Sequence, residues 1–281
     1  MQDYALVVSW LDQLTVAVSG LAIKPLYMIL SFIIIYRLRS AASRDLKFLR
    51  YGLIGFFAGE FICGVNYLAF GSSSNLLEIF HGLGMVWMWI FLPWFVFLFI
   101  DERIIYFSSP DKKCAFLRFC KRCDKKVPDG CRMRKFVFFI IPALIITALI
   151  PFTLPLDPYS YTLKIFNSEV LFKSTDILQN IEVRAYPFVA VLLLAGSAIV
   201  LKLTKDITLW SYLFFPGFGF MTFSLFRFFF TFAFIYNPVW SNFWEEMTEL
   251  LLIAGIMIFL QIFKKQFGAN EYRELKIIKR K

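Results

Sequence analysis

Residues 37–50 read RLRSAASRDLKFLR, five arginines and lysines against the single acid Asp45. The stretch lies between two long apolar runs, and the next gap between apolar runs, residues 71–78, holds no basic residue at all. The alternation continues along the chain. Residues 101–135 hold eleven Lys and Arg, a short gap holds Lys202 and Lys205, and the tail from Lys264 to Lys281 holds seven. Gaps 157–184 and 237–241 hold three between them. Assigning the basic gaps to one side places 25 of the 30 Lys and Arg there, against 9 of the 20 Asp and Glu. Basic segments resist translocation and stay on the cytoplasmic side, so this sorting reports both a membrane protein and its orientation.

An apolar run of about 20 residues crosses the hydrocarbon core as a helix. Seven such spans are predicted, at 21–38, 49–70, 79–100, 136–156, 185–203, 208–236 and 242–263. An odd number of spans with a basic tail puts the N-terminus outside and the C-terminus inside. The fold class is therefore all-α, polytopic, in the plasma (inner) membrane. The chain divides into five regions: 1–100 with an N-terminal interfacial helix and spans one to three, the basic loop 101–135, 136–184 with span four and an outer loop, 185–263 with spans five to seven, and the tail 264–281. Residues 4–20 are moderately apolar but broken by Asp12 and Gln13; they read as a helix on the outer surface or an extension of the first span. In the outer loop, 161–166 and 170–173 read as a hairpin over the mouth of the bundle or as a plain connection.

Composition agrees with this class. Fifty-nine per cent of the 281 residues are hydrophobic, and 36 are Phe. The net charge of +10 lies beside helix ends, where topology and anionic lipid explain it without nucleic acid. No signal peptide is expected, because the first basic residue is Lys24.

Ser74-Asn75-Leu76-Leu77-Glu78 and Ser241-Asn242-Phe243-Trp244-Glu245 are predicted to open the third and seventh spans, 167 residues apart. The same offset sets Glu60 against Arg227. Two explanations stand together: a parallel repeat of three spans about a linking fourth, or two independent capping boxes. The three-one-three layout with an outer N-terminus is similar in topology to the SWEET sugar transporters and the opsins, although no Lys lies in the seventh span to hold retinal.

Ionisable side chains inside spans cost about 2.5–3.5 kcal/mol each on insertion scales, so they mark function or deliberate pairing. Glu60 lies in the second span, with Cys63 and Tyr67 placed on the same face and Asn66 beside them. Gly55 and Gly59 on that helix admit a close neighbour. Arg227 lies in the sixth span, and His81, the only histidine, in the third. Glu246 and Glu249 share a turn of the seventh. All fall from the midplane outward, which predicts an outward-opening ligand pocket with Glu60 as floor, Arg227 as its counter-ion, and Asn66, His81, Glu246 and Glu249 as walls. Structural pairing of Glu60 with Arg227 is the alternative. Glu78 and His81 have the spacing of a metal-binding pair on one helix. Pro216-Gly217-Phe218-Gly219 predicts a kink in the sixth span.

Cys114, Cys120, Cys123 and Cys131 crowd the most basic loop. On the reducing side they suit tetrahedral thiolate binding of zinc rather than disulfides. The opening spacing C-x5-C-x2-C resembles adrenodoxin-type [2Fe–2S] ferredoxins, which implies an iron–sulfur cluster as the alternative; free reduced thiols are the third reading. Three functions are compatible with these features: transport or binding of a small molecule or ion, electron transfer between a cytoplasmic cluster and quinone, or a sensor or assembly factor whose loop 101–135 docks a protein partner. No nucleophile–base set points to an enzyme.

Overall fold

The structure is a computed structural model, and it describes residues 9–70, 74–105, 132–153, 160–165, 168–173, 181–204, 207–234, 237–264 and 267. Helix α1 (Trp10–Val18) runs through a π-helical turn, Ser19–Ile23, into α2 (Lys24–Arg37). Ser9 and Asp12 close a reciprocal cap at its start. Of the two readings of the N-terminal segment, extension of the first span is the one adopted. Helix α3 (Arg44–Phe70) and α4 (Asn75–Phe99) come next, α4 being prolonged by the π-helical Ile100–Ile105. Helix α5 (Arg132–Ala148) ends in a 3-10 turn, Ile150–Thr153. A further π-helical lead, Ile181–Ala185, opens α6 (Tyr186–Thr204), and α7 (Ile207–Ala233) and α8 (Pro238–Ile262) complete the bundle.

Among the described residues, five helices are long and apolar enough to cross a membrane: Trp10–Arg37, Arg44–Phe70, Asn75–Ile104, Ile181–Thr204 and Leu209–Ala233. They mark the chain as an integral, multi-pass, helical membrane protein in contact with lipid. The apolar part of α5 with its extension is shorter, Phe138–Thr153. Helix α8 has the length, 25 residues, but carries Glu245, Glu246 and Glu249 within two turns.

The predicted hairpin forms. Strand β1 (Ser160–Ile165) pairs antiparallel with β2 (Ser168–Lys173), in a register running from Ser160 opposite Lys173 to Ile165 opposite Ser168. The four cysteines Cys114, Cys120, Cys123 and Cys131 lie outside the described residues.

Two expectations about helix ends change. Ser74, not Asn75, caps α4, its hydroxyl accepting from Leu77 N–H at 3.4 Å. Helix α8 begins a turn earlier than predicted, with Pro238 at its first position and Asn237 as cap. Ser241 and Asn242 are therefore inside α8, and Asn242 instead donates to Ser19 at 3.0 Å. The two matching pentapeptides do different jobs. Packing does not repeat between the halves either: α3 lies along α4, whereas α7 lies along α6 and α4 and barely touches α8.

Glycine sets the tightest approach. A Cβ on Gly84 of α4 would meet Gly55 O and Gly59 Cα of α3, each at 2.7 Å. The Gly55 and Gly59 face thus receives a neighbour as expected. Helix α7 runs unbroken through Pro216, and Gly217 and Gly219 next to it serve packing: a Cβ there would meet Leu193 and Leu194 of α6, or the Ile90 backbone of α4. Three apolar clusters result among the described residues, the smallest joining α4 and α7 through Trp94, Leu98 and Phe215. Of the other two, one joins α2, α3, α4 and α8 around Tyr27, Phe56, Met88 and Ile253; the second joins α5, α6 and α7 around Ile141, Ala190 and Leu194.

Candidate functional site

Glu60 projects from α3 toward α2, α4 and α8, and its side chain is only 1% exposed. Its Oε2 accepts from Lys24 Nζ of α2 at 2.5 Å and lies 2.6 Å from the Tyr27 hydroxyl. Its Oε1 lies 2.9 Å from His81 Nε2 of α4. Glu246 of α8 completes the core of the site, with Oε1 accepting from Lys24 at 3.1 Å and Oε2 lying 2.6 Å from Tyr27. Cys63, one turn beyond Glu60, sets its sulfur 3.6 Å from Lys24 Nζ. Four helices thus converge on one ammonium group and one phenol.

Tyr27 has a single proton and two carboxylate oxygens at 2.6 Å. It donates to one of them; the other approaches its lone pairs, an arrangement satisfied when that carboxyl itself carries a proton. Glu249, one turn along α8, is buried, and its Oε2 has no hydrogen-bond partner among the described residues. Carboxylate oxygens of Glu60, Glu246 and Glu249 all lie within 4.8 Å of one another. Glu60, Cys63 and His81 form a second such group.

Exposure grades the site from one end. Glu78 at the start of α4 and Glu245 at the start of α8 keep side chains 20% and 25% exposed, and Lys24 keeps 15%. Glu60 and Glu249 lie deepest. Asn66, itself fully buried, donates to Glu78 at 2.5 Å and accepts from Ser74 N–H at 3.2 Å, fastening the end of α3 to the start of α4. Glu78 in turn lies 3.8 Å from His81 Nδ1. The spacing that suggested a metal pair serves this chain of contacts. Tyr67, expected on the same face, is exposed.

Four of the six expected pocket residues, Glu60, His81, Glu246 and Glu249, lie together, and Asn66 reaches them only through Glu78. Arg227 does not pair with Glu60. Its guanidinium bonds Glu245 of α8 and lies 3.3 Å from Glu182, which the π-helical lead of α6 carries. The counter-ion of Glu60 is Lys24. A double-mutant cycle between Glu60→Gln and Arg227→Gln should show coupling near zero, whereas Lys24→Met with Glu60→Gln should couple by about 1–3 kcal/mol in thermal unfolding.

Each π-helical turn lies beside buried charge. The first precedes Lys24, the second contains Asp101 and Arg103, and the third contains Glu182. A widened turn rotates the helix beyond it, which is how such turns re-aim side chains at sites. Ser224 of α7 fixes the third by donating to Glu182 O at 2.7 Å. At the opposite end, Arg103 clamps fully buried Asp45 of α3 through two bonds of 2.6 and 3.0 Å, with Phe267 stacked on its guanidinium. That contact ties α3 to the extension of α4 at the end of the bundle away from Glu60.

No family model, no curated protein and no solved structure matches the chain.

Proposed function

We propose that this chain is a seven-span membrane protein, N-terminus outside, that binds and translocates a small cationic solute or ion through the Glu60 site. The observation that carries this reading is a buried cluster of three carboxyl groups, one of which has an oxygen with no partner among the described residues. Glu60, Glu246 and Glu249 face one lysine and one histidine, and Glu249 has an oxygen with no partner among the described residues. A buried carboxyl oxygen without a partner is costly, so the cluster favours a positive species that bridges the three groups. Graded exposure at the Glu78 and Glu245 end and the Asp45–Arg103 clamp at the other support access from one side at a time. The charge sorting of the loops favours the outside for the open end. Reconstituted protein should take up ²²Na⁺, ⁵⁴Mn²⁺ or ¹⁴C-methylammonium into proteoliposomes, and Glu60→Gln should abolish the uptake. Uptake of none of the three, or uptake indifferent to Glu60→Gln, refutes the reading.

We also propose that the cytoplasmic loop binds one zinc ion through Cys114, Cys120, Cys123 and Cys131 and docks a protein partner. Elemental analysis of the purified protein should find about one zinc per chain, lost on Cys120→Ser. Visible absorbance with labile sulfide would assign an iron–sulfur cluster instead.

A further inference from the structure

We infer that Glu60, Glu246 and Glu249 bind a hard divalent cation, with the Lys24 ammonium as a tethered competitor that must withdraw when the ion enters. The inference deepens the cation reading above and rests on it for the site, but not for transport.

Three observations converge. First, the donor atoms are all oxygen and mutually close: all lie within 4.8 Å. Hard cations sit about 2.0–2.6 Å from oxygen ligands, so opposite ligands around one ion are about 4–5 Å apart. Second, Glu249 is buried with an oxygen unpartnered among the described residues, although Lys24 and Tyr27 satisfy its two neighbours. Both oxygens of Glu60 and of Glu246 have partners, and one oxygen of Glu249 has none among the described residues. Third, a positive group already occupies the crossing point: Lys24 Nζ touches both Glu60 and Glu246. The cluster therefore already accommodates one positive group at the point where the carboxyls meet.

The class of ion is set by ligand type. Carboxylates and a phenol suit Mg²⁺, Ca²⁺ or Mn²⁺, whereas Glu60, Cys63 and His81 on the other side of Lys24 would suit a softer ion such as Zn²⁺. The oxygen set is preferred because it contains an unsatisfied carboxylate oxygen. His81 Nδ1 also lacks a hydrogen-bond partner among the described residues, but it faces Glu78 at 3.8 Å, whereas His81 Nε2 and the Cys63 sulfur already face Glu60 and Lys24.

Electron paramagnetic resonance of Mn²⁺ tests this on the full chain in detergent, without any need for flux. About one Mn²⁺ per chain should lose its free-ion signal. Glu249→Gln, nearly isosteric, should weaken binding about tenfold or more, because affinity for a hard cation depends on the charge of its ligand set. Glu246→Gln should do the same should Glu249→Gln prove unstable. Lys24→Met should tighten binding about tenfold or more by removing the competitor. Asp12→Asn, which touches only the α1 cap, should change nothing. No bound Mn²⁺, binding indifferent to Glu249→Gln and Glu246→Gln, or tight Zn²⁺ binding that depends on Cys63 in place of Mn²⁺ each overturns the inference. Mn²⁺ binding without proteoliposome uptake would retain the site and refute transport; uptake of Na⁺ or methylammonium without Mn²⁺ binding would do the reverse.

Discussion

Gly84→Leu should prevent the protein from folding into a monodisperse bundle. The added Cβ alone would lie 2.7 Å from Gly55 O and Gly59 Cα and 2.9 Å from Gly59 N. These are backbone atoms, which cannot swing aside, so α3 and α4 must separate. Overpacking of side chains costs about 1–3 kcal/mol, and a backbone collision on the largest helix interface should exceed it. The same separation would break the contact of Glu60 with His81, since the Gly59–Gly84 approach is what brings them to 2.9 Å. Gly255→Leu, where an added Cβ meets nothing within 4 Å, should leave size-exclusion profile and thermal midpoint nearly unchanged. Equal tolerance of the two substitutions would remove the glycine contact from the explanation of the fold.

Lys24→Met should be the most damaging change in the site itself when no ion is supplied. It leaves Glu60 and Glu246 facing each other with the ammonium gone. Removing one partner of a buried ion pair costs about 3–5 kcal/mol, because the remaining charge has lost both water and counter-ion. Glu246→Gln in the same chain should recover part of that loss by removing one of the stranded charges. Thermal unfolding in detergent reads both effects. A Lys24→Met chain as stable as the parent would mean that Lys24 is not the counter-ion of Glu60.

Much of the site is legible in the residues, for reasons that particular positions make clear. Buried charge is rare enough in an apolar run that Glu60, His81, Glu246 and Glu249 announce themselves, and helical geometry brings them together. Gly55 and Gly59 announce the close helix in the same way. Lys24 escapes a reading of the residues because, in a span starting near residue 21, a lysine in the first turn reads as a terminal cation reaching for headgroups. The helix starts at Trp10 instead, so Lys24 lies about 21 Å from its beginning. The pairing of Arg227 with Glu60 fails for a related reason. Glu182 falls in a predicted loop, and only the π-helical lead of α6 turns it toward α7. Widened turns have no residue signature, so neither the re-aiming of Lys24 nor that of Glu182 can be read in advance. The shift in the start of α8 is different: Asn237-Pro238 is a cap with a first-position proline after it, and that signal is in the sequence.

The central claim of the transport reading is the orientation of the molecule, with the open end of the Glu60 site outside. Ser72→Cys, between α3 and α4, and Ser40→Cys, between α2 and α3, place a thiol at each end of the bundle. With a membrane-impermeant maleimide on intact cells, Ser72→Cys should label before lysis, whereas Ser40→Cys and the native loop cysteines should label only after it. Labelling of Ser40→Cys from outside, with Ser72→Cys protected, would invert the molecule and turn the Glu60 site toward the cytoplasm.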